Sequence, residues 1–168
     1  MIHGCVPRIY RGSLHAEMNG KGKKTILIAD DNKDDALLLH CAFHRVDPAY
    51  HVVALPDGQQ FIDYLEGSNL YANRNLHPLP TLVLLDLNMP GVAGLKALRW
   101  VRRQPQFDFL PIVAMSGSLD ESLMERALAS GASAYLIKPV AFAQLVQTIE
   151  QRFEGWLHHG HPVERLAA

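Results

Sequence analysis

Asp30, Asp31, Asp86, Ser116 and Lys138 each follow or close a short apolar run. The runs are Thr25–Ala29, Leu82–Leu85, Ile112–Met115 and Ala134–Ile137. If they are parallel strands of one sheet, all five side chains emerge at its carboxyl edge, in the crevice where open α/β sheets bind ligands. Three carboxylates, a hydroxyl and an ammonium there suit a divalent cation and a phosphoryl group. Without a cation the carboxylates would repel an incoming phosphoryl group, since like charges ~4 Å apart cost on the order of 4 kcal/mol at an effective dielectric near 20. Mg²⁺ is the expected ion, because it prefers hard oxygen ligands.

The intervening segments must place these residues at one edge. From Thr25 onward, short apolar runs alternate with amphipathic stretches, the signature of βαβ units. Thr25–Ala29, His51–Ala54, Leu82–Leu85, Ile112–Met115 and Ala134–Ile137 read as strands. Helices are expected over 34–46, 58–66, 94–103, 120–130 and 142–156, from apolar spacing near 3.6 residues. Asp34 and Asp35 fit the acidic first turn of the first helix, Pro48 follows its end, and Gly131 suits the C′ position of the fourth. The unbroken Leu and Val of the third strand suit burial on both faces. Right-handed crossovers then put helices on both faces of a five-stranded parallel sheet, a doubly wound (βα)5 fold. Residues 24–157 form this domain, residues 1–23 a disordered basic tail, and residues 158–168 a second tail.

Composition narrows the function. A formal net charge of −1 over 168 residues argues against a polyanion-gripping domain, which needs clustered Lys and Arg, so no nucleic-acid partner is expected. Nothing approaches the ~20 apolar residues that span a bilayer, and residues 1–24 lack a signal-peptide core. Two cysteines, Cys5 and Cys41, cannot build a disulfide framework, so a cytoplasmic location without membrane attachment is expected. The cluster of His158, His159 and His161 reads as a solvated tail, because two further ligands at fixed spacing are missing.

Four strings carry a family resemblance: Ile26-Leu27-Ile28-Ala29-Asp30-Asp31-Asn32, Leu84-Leu85-Asp86-Leu87-Asn88-Met89-Pro90-Gly91, Met115-Ser116-Gly117 and Tyr135-Leu136-Ile137-Lys138-Pro139. In this order, each at a strand end, they resemble the receiver domain of bacterial two-component response regulators. The resemblance covers about residues 24–156. It implies a flavodoxin-like sheet with strand order 2-1-3-4-5 and a phosphoryl group passed from a sensor histidine kinase to Asp86. It further implies Mg²⁺ on Asp31, Asp86 and the Asn88 backbone carbonyl, with Asp30 acting through water. Lys138 would pair with phosphoryl oxygens, Ser116 would hydrogen-bond them, and Gly117 would leave space for their approach. The Lys138–Pro139 peptide would be cis. Tyr135 would be the switch aromatic, rotating inward as Ser116 moves toward the phosphoryl group and so reshaping the face of the fourth helix, fifth strand and fifth helix. Such a domain catalyses only its own phosphorylation and dephosphorylation.

Departures and rivals follow from the same residues. Lys33 stands where the family often has Pro, while Asn88 and Ser118 hold positions that tune dephosphorylation. A Mg²⁺-dependent phosphatase of haloacid dehalogenase type also forms an aspartyl phosphate, but needs a general acid where this chain has Asn88. A degenerate receiver serving only as a binding module is disfavoured, because all five key residues are present. The 67–80 connection, the Pro56-Asp57-Gly58 turn and the Arg152-Phe153-Glu154-Gly155-Trp156 segment resemble single-domain regulators of bacterial and cyanobacterial phytochrome kinases. With only a short tail after the last helix, a downstream protein target is expected to read out phosphorylation. Phe153 and Trp156 fit either the core or an exposed apolar patch for a homodimer, and the patch is the expectation.

Overall fold

The computed structural model describes residues 24–138 and 140–159, with side chains described only to Leu157 at the carboxyl end. The expected tail at 1–23, residues 160–168 of the tail expected at 158–168, the side chains of the histidine cluster and the Lys138–Pro139 cis peptide lie outside these residues. Residues 158 and 159 of the second tail are helical.

Five strands, β1 (Thr25–Ala29), β2 (His51–Leu55), β3 (Leu82–Asp86), β4 (Ile112–Ser116) and β5 (Ala134–Ile137), form a parallel sheet of order β2-β1-β3-β4-β5. Between them run α1 (Lys33–Val46), α2 (Gly58–Glu66), α3 (Gly94–Arg102) and α4 (Glu121–Ala129). After β5, α5 (Phe142–Thr148) continues through a π-helical turn, Ile149–Phe153, into α6 (Glu154–His159). The expected doubly wound fold and strand order are both present.

β1, β3 and β4 are buried along their whole length, and alternate residues feed two cores, as a two-residue side-chain period requires. Leu27, Ala29, Val83, Leu85, Ile112 and Ala114 pack with Phe61, Leu65, Leu98 and Val101 from α2 and α3. Ile26, Ile28, Leu82, Leu84, Val113 and Met115 pack with Leu39 and Phe43 of α1 and with Leu145 and Ile149. Fully burying one such side chain contributes about 1.5–3 kcal/mol, so the layers hold the strand ends in fixed register.

Two expectations need correction here. Phe153 and Trp156 are only 2% and 7% exposed. Their rings stack with centroids 5.5 Å apart within the second core, so they supply no exposed dimer patch. They lie on the side of the helix that meets α1 and the sheet, together with Leu157. The last helix also outruns its expected end at 156 and changes to π geometry on the way.

β3 and β4 each extend one residue beyond the apolar run, through Asp86 and Ser116, because these polar residues still pair in the ladder. The 67–80 connection is built rather than loose. Arg74 donates to the carbonyls of Tyr64 and Leu65 at 2.7 Å, covering the open end of α2.

Candidate functional site

The sheet register assembles the site. β1 pairs with β3 so that Ala29 faces Leu85, which puts Asp30 and Asp86 side by side one residue further on. β4 pairs with β5 so that Ser116 faces Ile137, and the Lys138 amide donates to the Ser116 carbonyl at 2.8 Å. β1 and β3 are neighbours whose onward connections diverge, so the crevice opens at the topological switch point.

Asp30 and Asp86 are both buried and held alike. In each, Oδ1 accepts the backbone N–H two residues on, Asn32 at 3.0 Å and Asn88 at 2.9 Å. In each, Oδ2 accepts from Lys138 Nζ, at 2.6 and 2.8 Å. Burial pushes the Asp30 carboxyl above the usual carboxylate range, opposed by the hydrogen bonds from Lys138 and the Asn32 amide. Burial would also pull the Lys138 ammonium down, but its hydrogen bonds to Asp30 and Asp86 outweigh this and hold it above the ordinary lysine value. Lys138 is therefore a fixed positive charge at the floor of the crevice.

Carboxylate oxygens of Asp30, Asp31 and Asp86 lie within 4.8 Å of one another, with Asp31 on the exposed side. This all-oxygen donor set, with an open flank for retained water, fits a hard divalent cation. α1 begins directly beside it. Asn32 caps that helix, its Oδ1 accepting the amides of Asp34 and Asp35 at 2.9 and 3.3 Å.

Ser116 is fully buried. Its Oγ accepts from Asn88 Nδ2 at 2.9 Å and from the Ser118 amide at 3.1 Å. A hydroxyl has two acceptor lone pairs and one proton, so what Ser116 has left to offer is the proton. A Cβ placed on Gly117 would meet no atom within 4 Å, so the approach above Ser116 is open.

Residues 26–150 match the family model for the response regulator receiver domain. The chain belongs to that family. This receiver is 34% identical over 135 residues to a probable methanogenesis regulatory protein, FilR2, of Methanothrix harundinacea, covering 79% of this chain and 83% of the relative. Among solved structures it is similar to the response regulator RPA3017 in red light signalling of R. palustris, at TM-score 0.72 and 35% identity, over 79% of this chain and 93% of that one. It is also similar to the phosphorylated cyanobacterial phytochrome response regulator RcpA, at TM-score 0.72 and 30% identity, over 81% and 95% of the two chains. The expected family and the likeness to phytochrome-associated regulators are thus found.

All the expected acidic and basic residues of the receiver meet in one crevice. Tyr135 stands on β5, its ring packed against the core on the α2–α4 side. Its hydroxyl is already shielded from solvent and has no hydrogen-bond partner among the described residues.

Three features escape a reading of the sequence. Asp35 Oδ2 lies 3.2 Å from Lys138 Nζ, although an acidic first turn seemed to explain it. The Asn88 side chain reaches Ser116, a contact that was not expected of it. Gly94 lets α3 close on the strand that carries Asp86, since a Cβ there would sit 2.0 Å from the Asp86 carbonyl oxygen. A small residue just after the Pro90-Gly91 turn was the one available signal.

Proposed function

We propose that this receiver acts as a response regulator in the cytoplasm. It takes a phosphoryl group from a phytochrome-type sensor histidine kinase onto Asp86, with Mg²⁺, and signals through phosphorylation-dependent contact with a protein target. The observation that carries the reading is the shared hold of Lys138 on Asp30 and Asp86 beside the exposed Asp31. The phytochrome link is supported by the likeness to RPA3017 and RcpA.

In the proposed transfer an Asp86 carboxylate oxygen attacks the phosphorus of a phosphohistidine. The new O–P bond forms as the P–N bond breaks, and the imidazole leaves with a proton from solvent. The transition state is loose and its charge sits on the equatorial oxygens, so positioning and neutralisation supply most of the catalysis. The Asn88 amide and Lys138 hold the two Asp86 oxygens. Lys138 then turns donors toward the phosphoryl oxygens, and Ser116 offers its remaining proton. Asp31, Asp86 and the Asn88 carbonyl would hold Mg²⁺, with Asp30 acting through water, and the ion would neutralise the phosphoryl charge.

Ser116 and Tyr135 are the proposed relay to the α4–β5–α5 face. A buried hydroxyl without a partner costs roughly 1–3 kcal/mol, which leaves Tyr135 poised between arrangements that phosphorylation can bias. Homodimerisation has no comparable support, because the aromatics expected to drive it are buried within the monomer. A haloacid dehalogenase reaction lacks its general acid, since position 88 holds an amide with no titratable proton and not a carboxyl group.

Incubation with acetyl phosphate and Mg²⁺ should add the mass of one phosphoryl group. Chelator or Asp86→Asn should abolish the gain. Undiminished incorporation in Asp86→Asn would overturn the assignment.

A further inference from the structure

The Lys138 ammonium has three N–H donors and three carboxylate oxygens within ion-pair distance: Asp30 at 2.6 Å, Asp86 at 2.8 Å and Asp35 at 3.2 Å. Two of its donors are therefore taken by hydrogen bonds to Asp30 and Asp86, and Asp35 faces it as an ion pair, before any phosphoryl group arrives. The three partners are not equivalent. Asp30 and Asp86 belong to the group whose oxygens could share a cation, and Asp35 does not. Asp30 and Asp86 also leave sheet strands, whereas Asp35 lies on the first turn of α1 with its side chain about a third exposed.

We infer that Asp35 is a positioning residue that holds the Lys138 ammonium in the resting receiver and competes for it with the phosphoryl group on Asp86. The inference rests on the reading of Asp86 as phosphoacceptor. Mg²⁺ held by Asp31 and Asp86, with Asp30 acting through water, would compete for the carboxylates that hold Lys138 and would repel the ammonium. Asp35 is then the contact that keeps Lys138 at the crevice. Once phosphoryl oxygens are present, the longest and most exposed of the three contacts is the one Lys138 gives up. Asp35 thereby opposes the phosphorylated state, both by retaining the ammonium and by placing negative charge near the phosphoryl group.

Removing the Asp35 charge should therefore favour the phosphoryl-bound state. The contact is partly exposed, so its effect is that of a surface ion pair, about two- to fivefold in affinity. The probe is beryllofluoride, which occupies a carboxylate as a phosphoryl group does, titrated by calorimetry at saturating Mg²⁺. Asp35→Asn and Asp35→Ala should both bind it about two- to fivefold more tightly than the natural chain, and Asp35→Glu should restore natural affinity. Asp34→Asn removes the same charge one residue away, from a carboxylate with no ion pair to Lys138, and should bind as the natural chain does.

Unchanged or weaker binding in both Asp35→Asn and Asp35→Ala would overturn the inference while leaving Asp86 as phosphoacceptor. An equal gain in Asp34→Asn would also overturn it, assigning the effect to general charge. Absence of Mg²⁺-dependent beryllofluoride binding in the natural chain would overturn the phosphoacceptor reading itself.

Discussion

Asp30 and Asp86, from different strands, share one ammonium: Lys138 Nζ stands 2.6 Å from the first and 2.8 Å from the second. Each carboxylate is also pinned by the amide two residues further on. A lysine from the far end of the domain thus fixes the spacing of two acidic groups that would otherwise repel.

This pairing predicts the behaviour of Lys138→Met. In chelator the carboxylates lose their only close cation among the described residues, and the domain should lose about 2 kcal/mol, below the 3–5 kcal/mol of a fully buried pair. Mg²⁺ should recover most of that loss by neutralising the same oxygens. Urea unfolding with and without Mg²⁺ checks both statements. An equal loss in the two conditions would show that Lys138 acts by packing alone.

Burial raises the Asp30 carboxyl above its ordinary value. A group whose folded-state pKa is raised stabilises fully below its unfolded pKa, and that contribution is lost as pH rises through the folded pKa. In chelator, the stability of the natural chain relative to Asp30→Asn should therefore fall from about pH 4 toward neutrality. Paired thermal melts across this range test the sign. A difference that grows with pH would show that hydrogen bonding from Lys138, not burial, governs Asp30.

Tyr135→Phe removes a buried hydroxyl that has no partner among the described residues. The resting domain should be unharmed or up to about 1 kcal/mol more stable in urea, because an unsatisfied polar group is lost with little change of shape. A loss above about 1 kcal/mol would mean that the hydroxyl makes a bond in solution. That result would remove the poised relay.

The ends of the apolar runs showed much of the site in advance. Asp30, Asp31, Asp86, Ser116 and Lys138 each follow or close a short apolar run that alternates with amphipathic stretches as strands of a βαβ fold do. Their meeting place therefore followed from topology, although the run before Lys138 is only partly buried. Asp35 was hidden because its position had a sufficient local explanation in the helix start, and only the fold brings Lys138 to it. The Asn88 side chain was hidden for a related reason: its contact with Ser116 depends on how the turn after β3 folds back, which spacing does not encode. Phe153 and Trp156 misled because aromatics near a chain end read equally well as core or surface.

Borohydride trapping after exposure to acetyl phosphate tests the central claim most directly, since it reduces an aspartyl phosphate to homoserine at the modified position. Mapping by peptide mass should place homoserine at position 86 alone and only when Mg²⁺ is present. Homoserine at 30 or 31, or at 86 to the same extent in chelator, would contradict the account.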